Sequence, residues 1–447
     1  MNRMNNFLGR FVLALAAFAT VSLEAAHWPN WRGPNYDGSS PAKNLPVKFS
    51  TTENVVWAAN LPGPSAASPI IWETKVFVSS LDTRTKALLA ICLDRQTGKE
   101  IWRHEVGIGI QQDNRSNQAS PSPVTDGKIV VFFYGNGDLA TFDLDGKKLW
   151  QRNIQKDYGQ FAFLWTFSTS PVLYENTLYM QVLQRDVPVN GRGRTDGPNE
   201  SYLLALEPQT GKELWRKVRP DDAMSESKEA FSTPVPYEHN GQKQLLIAGG
   251  DYISGHDPKN GNILWSWGTW NEAKITHWRL VPTPVAGAGI ALACAPKKEP
   301  VFAVKLGDSG KLPDSAIAWR SERAGPVSSD VPTPAFAEGD FFVLSDGAKT
   351  LSRVEAATGK IKWTTQLPGR AKYESSPTVA DGKVYTMNFK AEVTVLNTAN
   401  GEVLHTATLG DPTDDTTRST IAIAGSNIFV RTNAKLYCLG QKQLAKQ

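Results

Sequence analysis

Residues 205–215 read ALEPQTGKELW, and this phrase decides the fold because it recurs along the chain. Its parts are an acidic residue, a Thr-Gly or Asn-Gly pair, usually a lysine, and a tryptophan three positions further on. Other copies, some degenerate, end at Trp102, Trp150, Trp265, Trp319, Trp363 and His405. The glycine supplies the positive φ that a tight hairpin turn needs. Each copy therefore predicts a hairpin whose second strand carries a large ring that covers the gap between neighbouring units.

A second phrase, a Ser/Thr-Pro pair followed by apolar residues, leads each repeat. It begins at Ser68, Ser122, Ser170, Thr233, Thr283, Thr333 and Ser376, with an eroded eighth copy at residues 419–421. The intervals contain apolar stretches of period two separated by Gly, Asn and Asp, which is typical of short strands and tight turns. Four such strands need roughly 40–45 residues. We therefore predict an all-β fold, a single eight-bladed β-propeller of four-stranded antiparallel blades.

The two ends of the chain complement each other. The last repeat ends at residues 437–439 without its tryptophan strand, whereas residues 53–60 form a spare strand that contains Trp57. We predict that this N-terminal strand completes the last blade and closes the ring. Closure removes an exposed sheet edge that would otherwise invite aggregation.

The N-terminus has the layout of a secretory signal. Arg3 and Arg10 precede the apolar run FVLALAAFA at 11–19, and small residues end at Ala26, where cleavage is expected. An uncleaved anchor is the alternative, and no later apolar run reaches the ~18 residues of a membrane span. We expect an exported protein, periplasmic or secreted, with no transmembrane segment after signal cleavage. The predicted segments are a signal peptide at 1–26, an N-terminal extension at 27–52, the propeller at 53–440 and a tail at 441–447.

Composition excludes several classes of protein. Apolar residues make up 40% and charged residues 21%, which excludes a disordered chain. The net charge of +4 is spread over the chain and disfavours a nucleic-acid binder. Cys92, Cys294 and Cys438 lie in apolar runs, so we expect buried free thiols rather than a disulfide-stapled fold. We also expect a monomer.

The repeat resembles the tryptophan-docking motif of PQQ-like (pyrroloquinoline quinone) repeat β-propellers over essentially all of the mature chain. The opening HWPNWRGPNYDG at 27–38 is similar to the N-terminal segment of many exported members. The resemblance implies a quinoprotein alcohol dehydrogenase-like fold and one of two functions. One group comprises dehydrogenases that bind PQQ and Ca²⁺ in the central funnel. The other is the non-catalytic BamB-like group, which acts as a scaffold in outer-membrane protein assembly.

The sequence departs from the dehydrogenase pattern. Those enzymes are longer, many carry a vicinal Cys-Cys pair beneath the quinone, and c-type haem needs a CxxCH motif; the chain has neither motif. Some quinoproteins with sugar substrates also lack both. The leading interpretation is a non-catalytic binding or scaffold protein of the cell envelope, with an envelope protein or a small-molecule ligand on its funnel face. The alternative is a PQQ- and calcium-dependent dehydrogenase that oxidises an alcohol or a sugar.

Loops that precede the Ser/Thr-Pro phrases should rim the funnel. Their carboxylates are suited to a hard cation such as Ca²⁺, their arginines to ligand carboxylates, and their aromatic rings to a planar ligand. The ligand-binding candidates are Asn114, Arg115, Asn117, Trp165, Glu229, Trp278, Arg279, Asp330, Tyr373, Glu374 and Arg418. In the enzyme alternative, Asp330 or Glu229 would be the catalytic general base. A solvated rim without a ligand remains open, because loops expose polar residues in any propeller.

An insertion at 184–200, QRDVPVNGRGRTDGPNE, lengthens the third repeat. Its glycines, prolines and arginines indicate a basic loop. Such a long loop is either a lid or docking element, or a tolerated surface insertion.

Overall fold

Each sequence repeat folds into a four-stranded antiparallel blade, and eight blades follow one another around a central channel. The structure is a computed structural model that describes residues 26–110 and 113–441. The predicted signal peptide lies outside the described residues except for Ala26, and so does nearly all of the predicted C-terminal tail. The predicted fold class, an eight-bladed β-propeller, is confirmed.

Strands are numbered in chain order, and each blade is given from the channel outward. Two strands precede the first blade: β1 Ser39–Ser40 and β2 Val55–Asn60. Blade 1 contains β3 Ile70–Trp72, β4 Lys75–Leu81, β5 Ala87–Asp94 and β6 Glu100–Ile108. Blade 2 contains β7 Val124–Thr125, β8 Ile129–Phe133, β9 Asp138–Asp143 and β10 Lys148–Asn153. Blade 3 contains β11 Val172–Tyr174, β12 Thr177–Val182, β13 Tyr202–Leu206 and β14 Glu213–Val218. Blade 4 contains β15 Val235–His239, β16 Gln242–Gly249, β17 Tyr252–His256 and β18 Ile263–Gly268.

The second half repeats this plan with one additional short strand. Blade 5 contains β19 Val285–Gly287, β20 Ile290–Cys294, β21 Val301–Lys305 and β23 Ile317–Arg320. The intervening β22, Gly310–Lys311, joins blade 4 instead. Blade 6 contains β24 Ala335–Ala337, β25 Asp340–Ser345, β26 Thr350–Glu355 and β27 Ile361–Gln366. Blade 7 contains β28 Thr378–Ala380, β29 Lys383–Met387, β30 Glu392–Asn397 and β31 Val403–Thr408. Blade 8 contains β32 Ala422–Ala424, β33 Asn427–Arg431 and β34 Lys435–Leu439. Helical structure is limited to α1 Ile154–Tyr158 and two 3₁₀ turns, Ser225–Lys228 and Asp314–Ala316, in the described part of the chain.

The ring closes as predicted. Strand β2 pairs antiparallel with β34, with Trp57 opposite Cys438. Blade 8 is thus built from both ends of the chain, and one buried cluster joins it to blades 7 and 1.

Neighbouring blades are joined by the repeated tryptophan. Its indole N–H donates to a backbone carbonyl in the next blade's turn, that of the residue after the Asp, Glu or Asn that opens the turn. These bonds run from Trp57 to Arg95 (2.8 Å), Trp102 to Leu144 (3.1 Å), Trp150 to Pro208 (2.9 Å), Trp215 to Pro258 (3.2 Å), Trp319 to Ala356 (2.8 Å) and Trp363 to Thr398 (2.8 Å). The turn glycine lies under the ring: a Cβ on Gly359 would be 2.6 Å from Trp319. The motif therefore needs glycine for its close approach as well as for its positive φ.

Two joints depart from this pattern, and other segments take over there. Trp265 of blade 4 donates to Gln244 of its own blade at 2.6 Å, and β22 pairs in parallel with β18 at this outer edge. At blade 7, His405 replaces the tryptophan, and its Nε2 lies 2.7 Å from the carbonyl oxygen of Phe49. At the first of these joints an additional short strand, and at the second the N-terminal extension, takes the place of the tryptophan contact.

The N-terminal segment crosses the channel along the inner strands, on the side of the Ser/Thr-Pro phrases that faces away from the rim loops. Trp28 forms a bridge to Ile71 of blade 1, and the Tyr36 hydroxyl donates to the Leu173 carbonyl of blade 3 at 2.6 Å. Arg32 is buried and donates to the carbonyls of Pro334 (2.6 Å) and Pro377 (3.2 Å), ahead of blades 6 and 7. Because burial disfavours its charge, the pKa of Arg32 falls to about 10. This segment closes one end of the channel and leaves the other end open.

The three cysteines are free and buried, as predicted. Burial raises the pKa of Cys92, Cys294 and Cys438 to about 12. Within the described ranges, no helix combines the length and the apolar character that a membrane span requires.

The docking contact can be tested with a matched pair of glycine substitutions. Gly359 and Gly382 both have a left-handed backbone, but only Gly359 lies under a tryptophan; nothing lies within 4 Å of a Cβ on Gly382. Both alanine variants should lose about 1 kcal/mol from backbone strain. Gly359→Ala should lose a further ~1–3 kcal/mol because its methyl group displaces the Trp319 ring. Urea denaturation measures the difference, and equal losses would show that the ring is not held by close contact.

Candidate binding funnel

The open end of the channel is a cavity of about 370 Å³. Trp31, from the N-terminal segment, lines it at the closed end. Every blade contributes the Ser or Thr of its Ser/Thr-Pro phrase: Ser68, Ser122, Ser170, Thr233, Thr283, Thr333, Ser376 and Thr420. The volume is in the range of small-molecule sites.

These eight residues form a belt of hydrogen bonds around the cavity, here called the hydroxyl belt. The backbone N–H of one member donates to the hydroxyl of the member in the next blade. The bonds run from Ser68 to Ser122, Ser122 to Ser170, Ser170 to Thr233, Thr233 to Thr283, Thr283 to Thr333, Thr333 to Ser376 and Thr420 to Ser68, at 2.9–3.2 Å. A hydroxyl on Cβ is needed to reach the neighbouring backbone, which explains why Ser or Thr recurs in this phrase.

The rim above the belt carries more cationic than anionic side chains. Arg115, Arg279, Lys297 and Arg418 line the cavity, against two carboxylates, Glu226 and Glu374. His277 and Trp165 complete the polar and aromatic wall. The guanidinium of Arg115 lies 5.6 Å from the centre of the Trp165 ring. The lining therefore favours an anionic ligand with an aromatic or planar part.

The rim carboxylates are already engaged by protein donors. Arg418 donates to Glu374 at 2.7 Å, and the indole N–H of Trp165 donates to Glu226 at 2.9 Å. Asp330 does not line the cavity, but it lies 3.5 Å from Arg279 and 3.6 Å from Lys297, which do. Each of these carboxylates thus has a different protein partner.

Glu229 lies behind the funnel wall and does not line the cavity. It is fully buried, accepts the Leu164 N–H at 3.0 Å and forms an ion pair with Arg185. Its Oε2 has no hydrogen-bond partner in the described structure. Burial raises the pKa of Glu229 to about 7, because desolvation of the carboxylate outweighs the attraction of Arg185. Glu229 anchors the backbone next to Trp165, which is a positioning role.

The fit of the two predicted cofactors differs. Glu229, Asp330 and Glu374, expected as cation ligands, pair with separate protein cations and do not converge on a shared point. The described residues contain no group of three or more His, Cys, Asp or Glu side chains arranged for a metal ion. This donor set does not fit Ca²⁺, which prefers several converging oxygen ligands. The cavity lining does fit a planar, carboxylate-bearing quinone such as PQQ, because it offers guanidinium groups and aromatic rings. These belong to Arg115, Arg279, Arg418, Trp31 and Trp165.

The predicted candidates divide between the cavity and its surroundings. Those that line the cavity are Arg115, Trp165, Arg279, Glu374 and Arg418. Asn114 is exposed in a smaller neighbouring cleft of about 90 Å³. Asn117, Trp278 and Tyr373 are buried, and the Tyr373 hydroxyl donates to the Pro368 carbonyl at 2.8 Å. These buried residues hold the rim loops in place.

Sequence reasoning missed several lining residues. Trp31 lies in the N-terminal segment, whose sequence stands out only by its resemblance to exported PQQ-like propellers. Glu226 lies in the 3₁₀ turn before blade 4. Lys297 reaches the cavity from a hairpin inside blade 5, which no repeat signal marks. The hydroxyl belt did have a signal, because one Ser or Thr-Pro phrase per blade places one hydroxyl per blade at the same level.

The insertion at 184–200 packs beside the funnel. Arg192 donates to the Leu164 carbonyl at 2.7 Å, next to Trp165. A second groove of about 540 Å³ runs under Gly191 and Arg192, and Trp165 lines this groove as well as the funnel. The insertion therefore packs against the funnel wall and supports it.

The buried carboxyl predicts a pH dependence of stability. The folded pKa of Glu229, about 7, lies above its ordinary value of 4.5, so the folded protein keeps this proton where the unfolded chain loses it. The stability that this retained proton contributes is fully present below pH ~4.5 and is lost as the pH rises through ~7. The loss in the free energy of unfolding is at most about 3 kcal/mol. Relative to the wild type, Glu229→Gln should therefore gain stability as the pH rises across this window. Urea denaturation from pH 4.5 to 8 measures this, with the exposed Glu322→Gln as control. If the difference in unfolding free energy between Glu229→Gln and the wild type did not change with pH, the raised pKa of Glu229 would be contradicted.

Comparison with known proteins agrees with this architecture. A family model described as outer membrane protein assembly factor BamB matches residues 46–187 and 311–443. A polyvinylalcohol dehydrogenase from a Pseudomonas species is 26% identical over 224 residues, which cover 47% of this chain and 30% of that protein. The chain thus matches less than a third of the length of that relative.

Two solved structures share the fold at low sequence identity. BamB from Moraxella catarrhalis is 12% identical with a TM-score of 0.60, over 87% of this chain and 99% of that one. A quinohemoprotein alcohol dehydrogenase from Comamonas testosteroni is 12% identical with a TM-score of 0.61, over 97% of this chain and 83% of that one. At these identities the likeness concerns the fold alone. Since the family model matches more than half of its residues, the chain belongs to the BamB-like family of PQQ-repeat β-propellers.

Proposed function

We propose that this protein is a non-catalytic binding propeller of the cell envelope whose central funnel takes an anionic ligand. The observation that carries the proposal is the lining of the 370 Å³ cavity, in which four cationic side chains outnumber two carboxylates that are already hydrogen-bonded. The ligand is either a small molecule or a carboxylate-bearing group presented by an envelope protein.

Electrostatics support this choice. A guanidinium binds a carboxylate through two parallel hydrogen bonds, which adds geometric specificity to charge attraction. The side chains of Arg279 and Arg418 are only 16% and 13% exposed, so their fields are screened less than those of surface arginines. Arg115 has no ion-pair partner among the described residues and remains available for a ligand.

The location rests on two further lines of support. The N-terminal sequence has the composition of a secretory signal peptide, and the family is described by a role in outer-membrane protein assembly. We therefore place the protein, as part of this proposal, outside the cytoplasm, in the periplasm or secreted from the cell.

A quinoprotein dehydrogenase is the second candidate. The similarity to a polyvinylalcohol dehydrogenase favours it, as does the fit of the arginines and tryptophans to a planar carboxylated quinone. Bound PQQ would supply a two-electron acceptor for alcohol or sugar oxidation. Arg115, Arg279 and Arg418 would hold its carboxylates. Asp330, which pairs with Arg279 and does not itself line the cavity, is the remaining candidate for the base.

A charge-neutralising variant at the rim tests the proposed function. Arg115→Gln should weaken binding of PQQ, used as a planar anionic probe, about tenfold or more, because a charge-assisted hydrogen bond contributes about 1.5 kcal/mol or more. Quenching of tryptophan fluorescence during titration measures the Kd. Arg84→Gln, in an exposed hairpin turn of blade 1, removes the same charge away from the funnel and should leave the Kd unchanged.

The outcomes separate the candidates. Equal Kd values for the two variants would place the probe outside the funnel and refute the proposed function. Oxidation of alcohols by the PQQ- and Ca²⁺-loaded protein with an artificial electron acceptor would establish the second candidate instead.

A further inference from the structure

We infer that a groove beside the insertion at 184–200 is a second binding site, and that its ligand is a neutral oligosaccharide chain. The groove lies outside the funnel, so this inference goes beyond the proposed function and does not depend on it. It follows from the continuity of the groove, from its aromatic lining, from its unpaired polar groups and from the balance of its charges.

Two clefts join to form this site, here called the insertion groove. The inner cleft, of about 540 Å³, is the one that Trp165 shares with the funnel. The outer cleft, of about 700 Å³, has Gln155, Gln160 and Gly191 in common with the inner cleft. The first two of these residues lie in and just after α1, and the third lies in the insertion. Each cleft has the volume of a small-molecule site, so the two together have room for several units of a chain.

The inner cleft is aromatic. Its lining contains four rings, those of Phe161, Phe163, Trp165 and Phe167, from the segment between α1 and blade 3. The three phenylalanines are largely buried and pack against one another, whereas Trp165 is partly exposed. Trp165 therefore offers the most ring surface to a ligand. The C–H faces of a sugar ring pack on such a flat apolar surface and leave the sugar hydroxyls free at the edge.

Unpaired polar groups lie where the two clefts meet. The exposed side chain of Gln160 lines both clefts and makes no hydrogen bond within the described part of the chain. Gln155 donates one N–H to the Asn136 carbonyl at 2.7 Å and accepts the Phe161 N–H at 2.8 Å. Its carboxamide keeps a second N–H and a second lone pair for a ligand. A carboxamide both donates and accepts hydrogen bonds, as a sugar hydroxyl does, so the two groups match.

The charges of the insertion groove nearly cancel. Four cationic side chains line it against three carboxylates, and each carboxylate has an arginine partner. The pairs are Arg194 with Asp196 at 3.0 Å, Arg216 with Glu200 at 2.8 Å, and Arg152 with Asp157 at 2.7 Å. This near balance favours an uncharged polar ligand over an anion.

The lining also favours a sugar chain over an extended peptide. One common way to bind such a peptide is to add it as a strand to a free sheet edge, whose backbone groups supply the hydrogen bonds. Among the residues that line the two clefts, Asn153 and Arg216 belong to strands, and the others lie in α1, turns and loops. No strand edge therefore runs along the groove, and side-chain carboxamides are the groups that meet the ligand.

The first test titrates the protein with cellohexaose, chitohexaose and maltohexaose, three neutral hexasaccharides of different chemistry, by isothermal titration calorimetry. We expect at least one of them to bind, with the same Kd at low and at high salt, because screening does not affect a neutral ligand. The corresponding disaccharide should bind about tenfold more weakly or worse, because it fills one cleft instead of two.

The second test removes the unpaired carboxamide. Gln160→Ala should weaken binding of the hexasaccharide about three- to tenfold, because it removes one or two hydrogen bonds between neutral groups. Gln96→Ala is the matched control, since Gln96 is an exposed glutamine in a turn of blade 1 and does not line the groove. This control should bind the hexasaccharide as the wild type does.

Four results would overturn the inference. One is failure of all three hexasaccharides to bind, and another is equal affinity for a hexasaccharide and its disaccharide. The third is an unchanged Kd in Gln160→Ala or competitive displacement by PQQ, either of which would place the sugar outside the groove. The fourth is tighter binding of hexaglycine, which would assign the groove to peptides. The proposed function is tested separately, by PQQ binding to Arg115→Gln, and Gln160→Ala should leave the Kd of PQQ unchanged because Gln160 does not line the funnel.

Discussion

The contact between an indole ring of one blade and a glycine of the next blade's turn is the constraint on which the ring depends. It satisfies a backbone carbonyl, covers the gap between two sheets, and fixes the distance between blades, since a glycine is the only residue that lets the ring approach so closely. Repeated at six joints, it sets the circumference of the propeller. The width of the channel, and hence the size of the funnel, follows from it.

The joints without this contact give the molecule its individual features. At blade 4 a short strand covers the outer edge, and at blade 7 a histidine receives the N-terminal extension through Phe49. The same extension continues across the channel, where the buried Arg32 bonds to carbonyls ahead of two blades. Closing one end converts a through-channel into a funnel that has Trp31 at its closed end.

The chemistry of the funnel depends on which charges are neutralised within the protein. In the sequence alone, Glu229, Asp330 and Glu374 resemble the ligands of a cation site. In the fold, each of these carboxylates is paired with an arginine or a lysine. Once these pairs are formed, guanidinium nitrogens and hydroxyl protons remain for a ligand. The function of such a scaffold depends on the side chains at the rim rather than on the blades.

The sequence by itself determined the number of blades, their strands, the closure by the N-terminal strand and the buried cysteines, because these depend on short-range periodicity and on residues that recur in every repeat. It also located the rim loops, and Arg115, Trp165, Arg279, Glu374 and Arg418 do line the cavity. Only the tertiary structure decided that Glu229, Trp278 and Tyr373 face the core, that Lys297 and Trp31 reach the funnel, and which carboxylate pairs with which cation. The direction of a loop side chain and the partner of a charge depend on segments far apart in sequence, and a single chain's local pattern does not encode those distances.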